Sequence, residues 1–431
     1  MSAAAYRESG TEWIGRIPRY WELKPAFSVL QELDESNDRG QVQNVLSLSY
    51  GKIIRRDVES NFGLLPESFN TYQIVRNGDI VLRLLDLQND HVSLRVGLVP
   101  EEGIVTSAYV AVRPKKGLDS RYAAYLLHAY DLKKVFYNFG GGCRQSMGFE
   151  DLRRLPVPFP SPADQRRIAA YLDEATGKID RLMGLRRRQM DLLREQRAAL
   201  IQQAVTRGLN PRAPLKDSGL PWLGRIPEHW VVAPLNFRYE VQLGKMLDGS
   251  KIKGDALAPY LRNTDVQWDS INTSDLPLMD FSPRDRAKFS LRSGDLLVCE
   301  GGEVGRAAIW NEQLPNCYYQ KALHRLRPRN AKDNPRYMLH TLCIASSRGL
   351  FSSEGGQTTI DHLPAEALRR FRFPFAPRNE QDEIVSFIER ETAKLDELHR
   401  SYERQLALLA EYRASLIHEC VTGQRAVGEK S

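Results

Sequence analysis

The stretch that decides how this chain is organised is Ser9-Gly-Thr-Glu-Trp13-Ile-Gly-Arg-Ile-Pro18-Arg-Tyr-Trp21, because it returns as Ser218-Gly-Leu-Pro-Trp222-Leu-Gly-Arg-Ile-Pro227-Glu-His-Trp230. The two copies lie 209 residues apart, from Ser9 to Ser218. Later pairs keep nearly the same spacing: Gly78-Asp79 answers to Gly294-Asp295, and Gln165-Arg-Arg-Ile168 to Gln381-Asp-Glu-Ile384, both 216 residues on. A period this long belongs to a duplicated module, not to a solenoid, and two modules in one chain make a pseudo-dimer. Such a molecule suits a ligand that offers two similar sites in tandem.

Composition narrows the ligand. With 431 residues, 42% hydrophobic and 27% charged, the chain is globular and long enough for more than one core. A net charge of +7 and a pI near 9.0 favour a polyanionic partner. No apolar run reaches spanning length and no basic-then-apolar leader opens the sequence, so neither a membrane nor secretion is expected. Cys143, Cys299, Cys317, Cys343 and Cys420 are odd in number and scattered, which predicts buried free thiols and no zinc site.

Between the openings and the ends, both halves follow one order. Tyr72–Leu82 reads as two strands around an Asn-Gly turn, and Phe289–Val298 as its counterpart, so a hairpin is expected at each Gly-Asp. Further strands are predicted at Val96–Val99 and Ile104–Val112, matched by Val304–Trp310 and Tyr318–Leu326, each set ending in Arg-Pro. A helix follows from Ser120 to Phe136, and in the second half one starts at Asn334-Pro335, an N-cap residue followed by proline. Gly-rich loops Gly140–Gln145 and Gly355–Thr359 then lead to Pro-punctuated strands at Leu155–Phe159 and Phe371–Phe375. Each half is thus a mixed α+β domain of ordinary size.

Each half closes with a long helix. The apolar positions Ile168, Leu172, Ala175, Ile179, Leu182, Leu193 and Leu200 recur at 3–4 spacing, and Ile384, Ile388, Leu395, Leu398, Tyr402, Leu409, Tyr412 and Leu416 do so in the second copy. That spacing predicts a coiled-coil seam, the alternative being an amphipathic helix packed on its own domain. From Asp164 to Arg207 ten residues are basic and six acidic; from Arg378 to Glu419 six are basic and ten acidic. Opposite net charges of +4 and −4 favour pairing of the first helix with the second, within one chain and antiparallel. The expected divisions are 1–160 and 214–376 for the globular domains, with 161–213 and 377–431 for the helices and the C-terminal tail.

Catalytic signatures are missing. There is no P-loop for ATP, no ligand cluster among the eight His, and no nucleophile elbow. Asn334-Pro-Arg-Tyr337 differs from the Asn-Pro-Pro-Tyr of amino-methyltransferases by Arg336 and opens a helix. Gly301-Gly-Glu-Val-Gly305 lacks the helix of a dinucleotide fold and reads as a turn between strands.

The ordered and repeated set of openings, Gly-Asp turns, Pro-x-Pro-Phe and Phe-Pro-Phe strands and long helices resembles the DNA-specificity subunit of type I restriction–modification systems, over nearly the whole chain. The resemblance implies two target-recognition domains that each read half of a split double-stranded DNA site. Helices between them would dock two DNA methyltransferase subunits, and restriction or translocase subunits would join through the complex. It implies that S-adenosylmethionine, ATP and Mg²⁺ are held by those partners, none by this chain, and that the protein works in a prokaryotic cytoplasm.

Reading bases requires loop residues that reach groove edges, with arginine suited to guanine and glutamine to adenine. The candidates are Arg83, Gln88, Asn89, Arg144 and Gln145 in the first domain, and Arg306, Lys321, Gln357, Thr358 and Thr359 in the second. Trp13, Trp21, Trp222 and Trp230, repeated among apolar neighbours, are expected in the core. Two other readings remain open at this point: a self-sufficient restriction or modification enzyme, and a helical scaffold that binds only proteins.

Overall fold

The structure, a computed structural model, describes residues 6–57, 68–87, 94–138, 147–246, 254–351 and 362–428. The chain divides into two compact units, Met1–Arg188 with Tyr402–Ser431, and Gln189–Ser401. Each unit therefore takes in part of both long helices, Pro162–Arg207 and Arg378–Val421.

In the first unit a four-stranded antiparallel sheet runs Leu30–Glu32, Val110–Pro114, Ile80–Leu82, Val96–Leu98. The central strand is apolar at every position because the sheet is covered on both faces: Ile80 and Leu82 enter the core under helix Ser120–Leu132, and Val81 enters a second core with Val75 and Val105. The second unit repeats this with Tyr239–Leu243, Leu323–Pro328, Leu296–Cys299 and Ala307–Ile309. Here Leu296 and Val298 face one core, Leu297 and Cys299 the other. In the second unit the segment Leu257–Phe289 builds much of that other core, with Tyr260 and Phe281 against Trp310 and Tyr318.

The Gly-Asp segments are not hairpins. Gln73–Val75 pairs with Gly103–Val105, whereas Ile80–Leu82 pairs with Val110–Pro114 and Val96–Leu98. In the second unit Phe289 ends a helix. The buried aspartate closes the turn instead. Asp79 accepts from the backbone N–H of Arg76 at 2.7 Å and from Nε and Nη2 of Arg113, each at 2.7 Å. Asp295 does the same with Arg292 N–H at 2.7 Å and with Arg327 at 2.7 and 2.6 Å. The repeated Gly-Asp and the repeated Arg-Pro are thus two ends of one ion pair in each unit, its carboxylate buried. The predicted long strands Ile104–Val112 and Tyr318–Leu326 are each broken in two.

The repeated glutamines have an equally specific task. Gln165 is fully buried; its amide oxygen accepts from Asp119 N–H, the N-cap of helix Ser120–Leu132, and its nitrogen donates to the carbonyls of Gly117 and Pro160. Gln381 accepts from Asn334 N–H, the N-cap of helix Pro335–Ser347, and donates to Lys332 and Ala376. Each long helix is pinned at its start to the shorter helix before it.

Its far end docks elsewhere. The Tyr122 hydroxyl donates to the Val421 carbonyl at 2.9 Å in the first unit, and that of Tyr337 to Val205 at 3.3 Å in the second. Trp21 and Trp230 are buried at these junctions, and Trp13 and Trp222 pack against the cores. Past each helix end a glycine with positive φ, Gly208 (69°) or Gly423 (74°), turns the chain. A Cβ on Gly423 would stand 2.5 Å from the Pro18 ring and 3.0 Å from Trp21, whereas on Gly208 it would meet the movable Glu380 carboxylate at 2.9 Å. Gly423→Ala is therefore expected to destabilise by about 2–4 kcal/mol, positive-φ cost and overpacking together. Gly208→Ala should cost about 1–2 kcal/mol. Urea midpoints of the two variants check the order.

Along the long helices the buried row includes Leu172, Thr176, Ile179 and Met190 on the first, and Ile388, Thr392 and Leu416 on the second. Ile168 and Ile384 are buried as well; Leu193, Leu200, Leu395 and Leu409 are half-buried. Leu182 and Leu398 are exposed, which corrects their expected place in the seam. Thr176 and Thr392 lie in the buried row, their hydroxyls satisfied by the carbonyls of Leu172 and Ile388. Cys299, Cys317 and Cys420 are buried thiols, and burial pushes Cys317 and Cys420 up to about 12; Cys143 lies outside the described residues.

Candidate nucleic-acid interface

In each unit the described ends of two loop regions are tied together on the framework. In the first, the backbone N–H of Met147 donates to the Leu84 carbonyl at 2.9 Å, tying the segment after the Ile80–Leu82 strand to the end of the Gly-rich region. In the second, Leu363 N–H donates to Glu300 at 2.7 Å, and Gly301 bridges His362. Both atoms of this tie move on by 216 residues between the units, so the convergence of the two loop regions is itself duplicated.

Of the ten candidate readers, Arg83, Arg306 and Lys321 fall on described residues. Gln88, Asn89, Arg144, Gln145, Gln357, Thr358 and Thr359 lie outside them. Arg83 is exposed where the central strand leaves the sheet. Lys321 is exposed in the turn before Leu323–Pro328, and the next residue, Ala322, accepts from Glu300 N–H at 3.0 Å, which brings this turn to the same place. Burial raises the Glu300 carboxyl above its ordinary value, with Lys321 and His362 opposing the shift.

Arg306 is engaged inward. Its guanidinium donates to the Asn263 backbone carbonyl at 3.1 Å and side-chain oxygen at 3.3 Å. Its counterpart in the first unit is Arg95, since the carbonyls of Arg95 and Arg306 accept from Arg83 and Cys299 N–H in the same way. Arg95, buried, donates to the carbonyls of Arg83, Leu85 and Asp86 at 3.0, 2.6 and 3.1 Å. Both arginines hold the backbone at the base of a loop, and this shared role had no signal in composition or spacing. Asn263, which also donates to Gly301 at 2.7 Å, was equally unmarked. Gly301–Gly305 is the predicted turn between strands. Among the described residues no group of His, Cys, Asp or Glu is placed to hold a metal, and no helix is long and apolar enough to cross a membrane.

The family pattern of the type I restriction modification DNA specificity domain matches residues 62–186 and 228–407, once in each half. The chain belongs to this specificity family. The specificity subunit of the type I restriction enzyme EcoKI of Escherichia coli K12 is 24% identical over 434 residues, covering 95% of this chain and 90% of that one. A specificity subunit ascribed to the type I restriction enzyme MjaX of Methanocaldococcus jannaschii is 25% identical over 236 residues; there the match spans about half of each chain, 52% and 53%. A solved chain, from a study of complex assembly and conformational transition of the type I R-M system, shares the fold at a TM-score of 0.71 and 17% identity, over 95% of this specificity chain and 99% of its own.

Proposed function

We propose that this chain is the non-catalytic DNA-recognition subunit of a type I restriction–modification complex, each unit reading one half of a bipartite site. The observation that carries this is the duplicated meeting of two loop regions, at Leu84 with Met147 and at Glu300 with Leu363, on a framework held by buried ion pairs. Loops fixed at their bases suit sequence reading, because base specificity lies in side chains that reach groove edges. S-adenosylmethionine, ATP and Mg²⁺ belong on this reading to the partner subunits.

The two long helices are proposed to pair as an intramolecular antiparallel coiled coil. Arg413 donates to Asp180 at 2.9 Å, and Arg197 lies 3.6 Å from Asp396. Going up the first helix from Asp180 to Arg197 takes the partner back down the second from Arg413 to Asp396 by the same number of residues, the signature of antiparallel register. Arg186 stacks over Tyr402 at 5.0 Å. These exposed pairs select the partner, and the apolar row holds it.

Another row on the same helices supports docking of methyltransferase subunits. Leu182, Leu185 and Leu192 on the first, and Leu398, Leu408 and Tyr412 on the second, are 39% to 63% exposed. Leu182 matches Leu398, and Leu192 matches Leu408, at the repeat offset of 216 residues. Matched apolar faces offer two pseudo-equivalent sites. Native mass measurement at saturating methyltransferase is expected to find two copies per chain, and Leu192→Glu with Leu408→Glu to abolish that complex. A stable one-to-one complex at saturation would contradict the docking proposal.

A further inference from the structure

The two units differ at one otherwise matched place. Each has a short hairpin against the edge strand of its sheet: Leu46–Ser49 with Lys52–Arg55 in the first, Val266–Gln267 with Ser270–Ile271 in the second. In the second unit the hairpin tip is closed down. Asp269 receives the Arg336 guanidinium, Arg336 also reaches Glu389 at 3.2 Å, and Trp268 donates to Glu303 at 2.6 Å.

In the first unit the equivalents of that arginine and glutamate pair in the same way, Arg121 with Asp173 at 2.8 Å. The hairpin tip, however, does not reach them. Tyr50, 82% exposed, and Lys52 stand on one side of an open cleft of about 770 Å³, whose floor includes Leu98, Ala124, Leu132 and Ala414. Ala124 is part of the cause, since the matching position in the second unit is the buried Leu339. The rim carries Lys52, Arg121, Arg187 and Arg413 against Asp173 and Asp180. Both aspartates are engaged, by Arg121 with Tyr125 and by Arg413, while Lys52 and Arg187 have no ion pair among the described residues. His128 on the cleft wall is kept neutral at ordinary pH, its pKa lowered to about 4 by burial and by Arg413.

Phosphate binding rests on charge and draws nothing from the apolar floor beneath this positive rim. Floor and rim together complement a bulky apolar side chain beside carboxylates. The cleft also lies on a different flank of the helix from the exposed leucines. At 100° per residue, Asp173, Asp180 and Arg187 form one row, and Leu182 and Leu185 stand well over a quarter-turn away from it.

We propose that this cleft receives an acidic, apolar peptide segment of the methyltransferase subunit, and that the closed hairpin of the second unit offers no such site among its described residues, so the two docked copies are held unequally. The inference rests on the docking reading above. To test it, the full chain carrying the photo-reactive residue benzoylphenylalanine in place of Tyr50 is irradiated in complex with its methyltransferase and duplex DNA. A cross-link to the methyltransferase is expected. Titration should show two unequal binding steps, with Ala124→Trp weakening the tighter one at least ~10-fold and leaving the other unchanged. The surface pair Lys52→Glu with Arg187→Glu, which leaves the floor intact, should weaken the same step. A complex that holds two methyltransferase copies yet cross-links nowhere, or only to DNA, would overturn the cleft assignment while leaving the docking reading standing. A chain that binds no methyltransferase would overturn both.

Discussion

Replacing Asp295 with alanine is expected to cost about 3–5 kcal/mol, the range for breaking a buried ion pair from one side. The carboxylate is 1% exposed and meets Arg327, itself only 19% exposed, while holding the Arg292 N–H that closes the turn. Its removal leaves a guanidinium half out of water and a backbone donor unmatched. The equivalent Asp79→Ala should cost less, about 1–3 kcal/mol. Arg113, at 39% exposure, can recover water where Arg327 cannot. Since domains are stable by only about 5–15 kcal/mol, Asp295→Ala should leave the second unit marginal and the first unaffected. Urea denaturation followed by circular dichroism decides this. Equal midpoints for Asp295→Ala and the unaltered chain would mean that the pair does not organise the fold.

Inserting four residues after Arg188, with four more after Arg404 on the second helix, is expected to lengthen the gap between the recognised half-sites by one or two base pairs. On the proposed antiparallel pairing, in which Asp180 meets Arg413 and Arg197 meets Asp396, the two insertion points lie at one level. Four residues add about 6 Å and close to one turn, so the buried row is nearly preserved, and each base pair advances about 3.4 Å. The starting gap should be near one helical turn, roughly 10 bp, if both units read one face of B-DNA. Inserting two residues at each point should rotate Leu193 and Leu409 out of the apolar row and destabilise assembly. A folded four-residue variant active on the original spacing alone would contradict the ruler.

Much of this organisation was legible because repetition marks what both units need. Gln165 with Gln381, the four tryptophans of the two openings and the Asn334-Pro335 cap are local devices, and their spacing carries them. The Gly-Asp turns misled because local turn chemistry favours a hairpin, and only the distant arginines at 113 and 327 reveal that the aspartate closes the turn from within. The helix rows misled for a related reason. Leu182 and Leu398 look like seam residues by hydrophobicity, yet a threonine that satisfies its hydroxyl on its own helix packs inside as well, and the leucines remain outside. Arg306 illustrates the limit for reading residues: nothing local distinguishes an arginine aimed at a base from one holding a loop's backbone. Arg95 and Arg306 are recognisable as a pair only once their strands are aligned.

Independent reading of two half-sites by the two modules is tested by replacing residues 1–160 with the equivalent domain of a relative and mapping methylated bases across the genome of a host that carries the hybrid with its methyltransferase. Each unit has its own sheet, helix and loop pair, so the map should show one half of the bipartite sequence changed, the other half intact and the gap between them the same. A map in which both halves change together would mean that the two units do not read their half-sites independently.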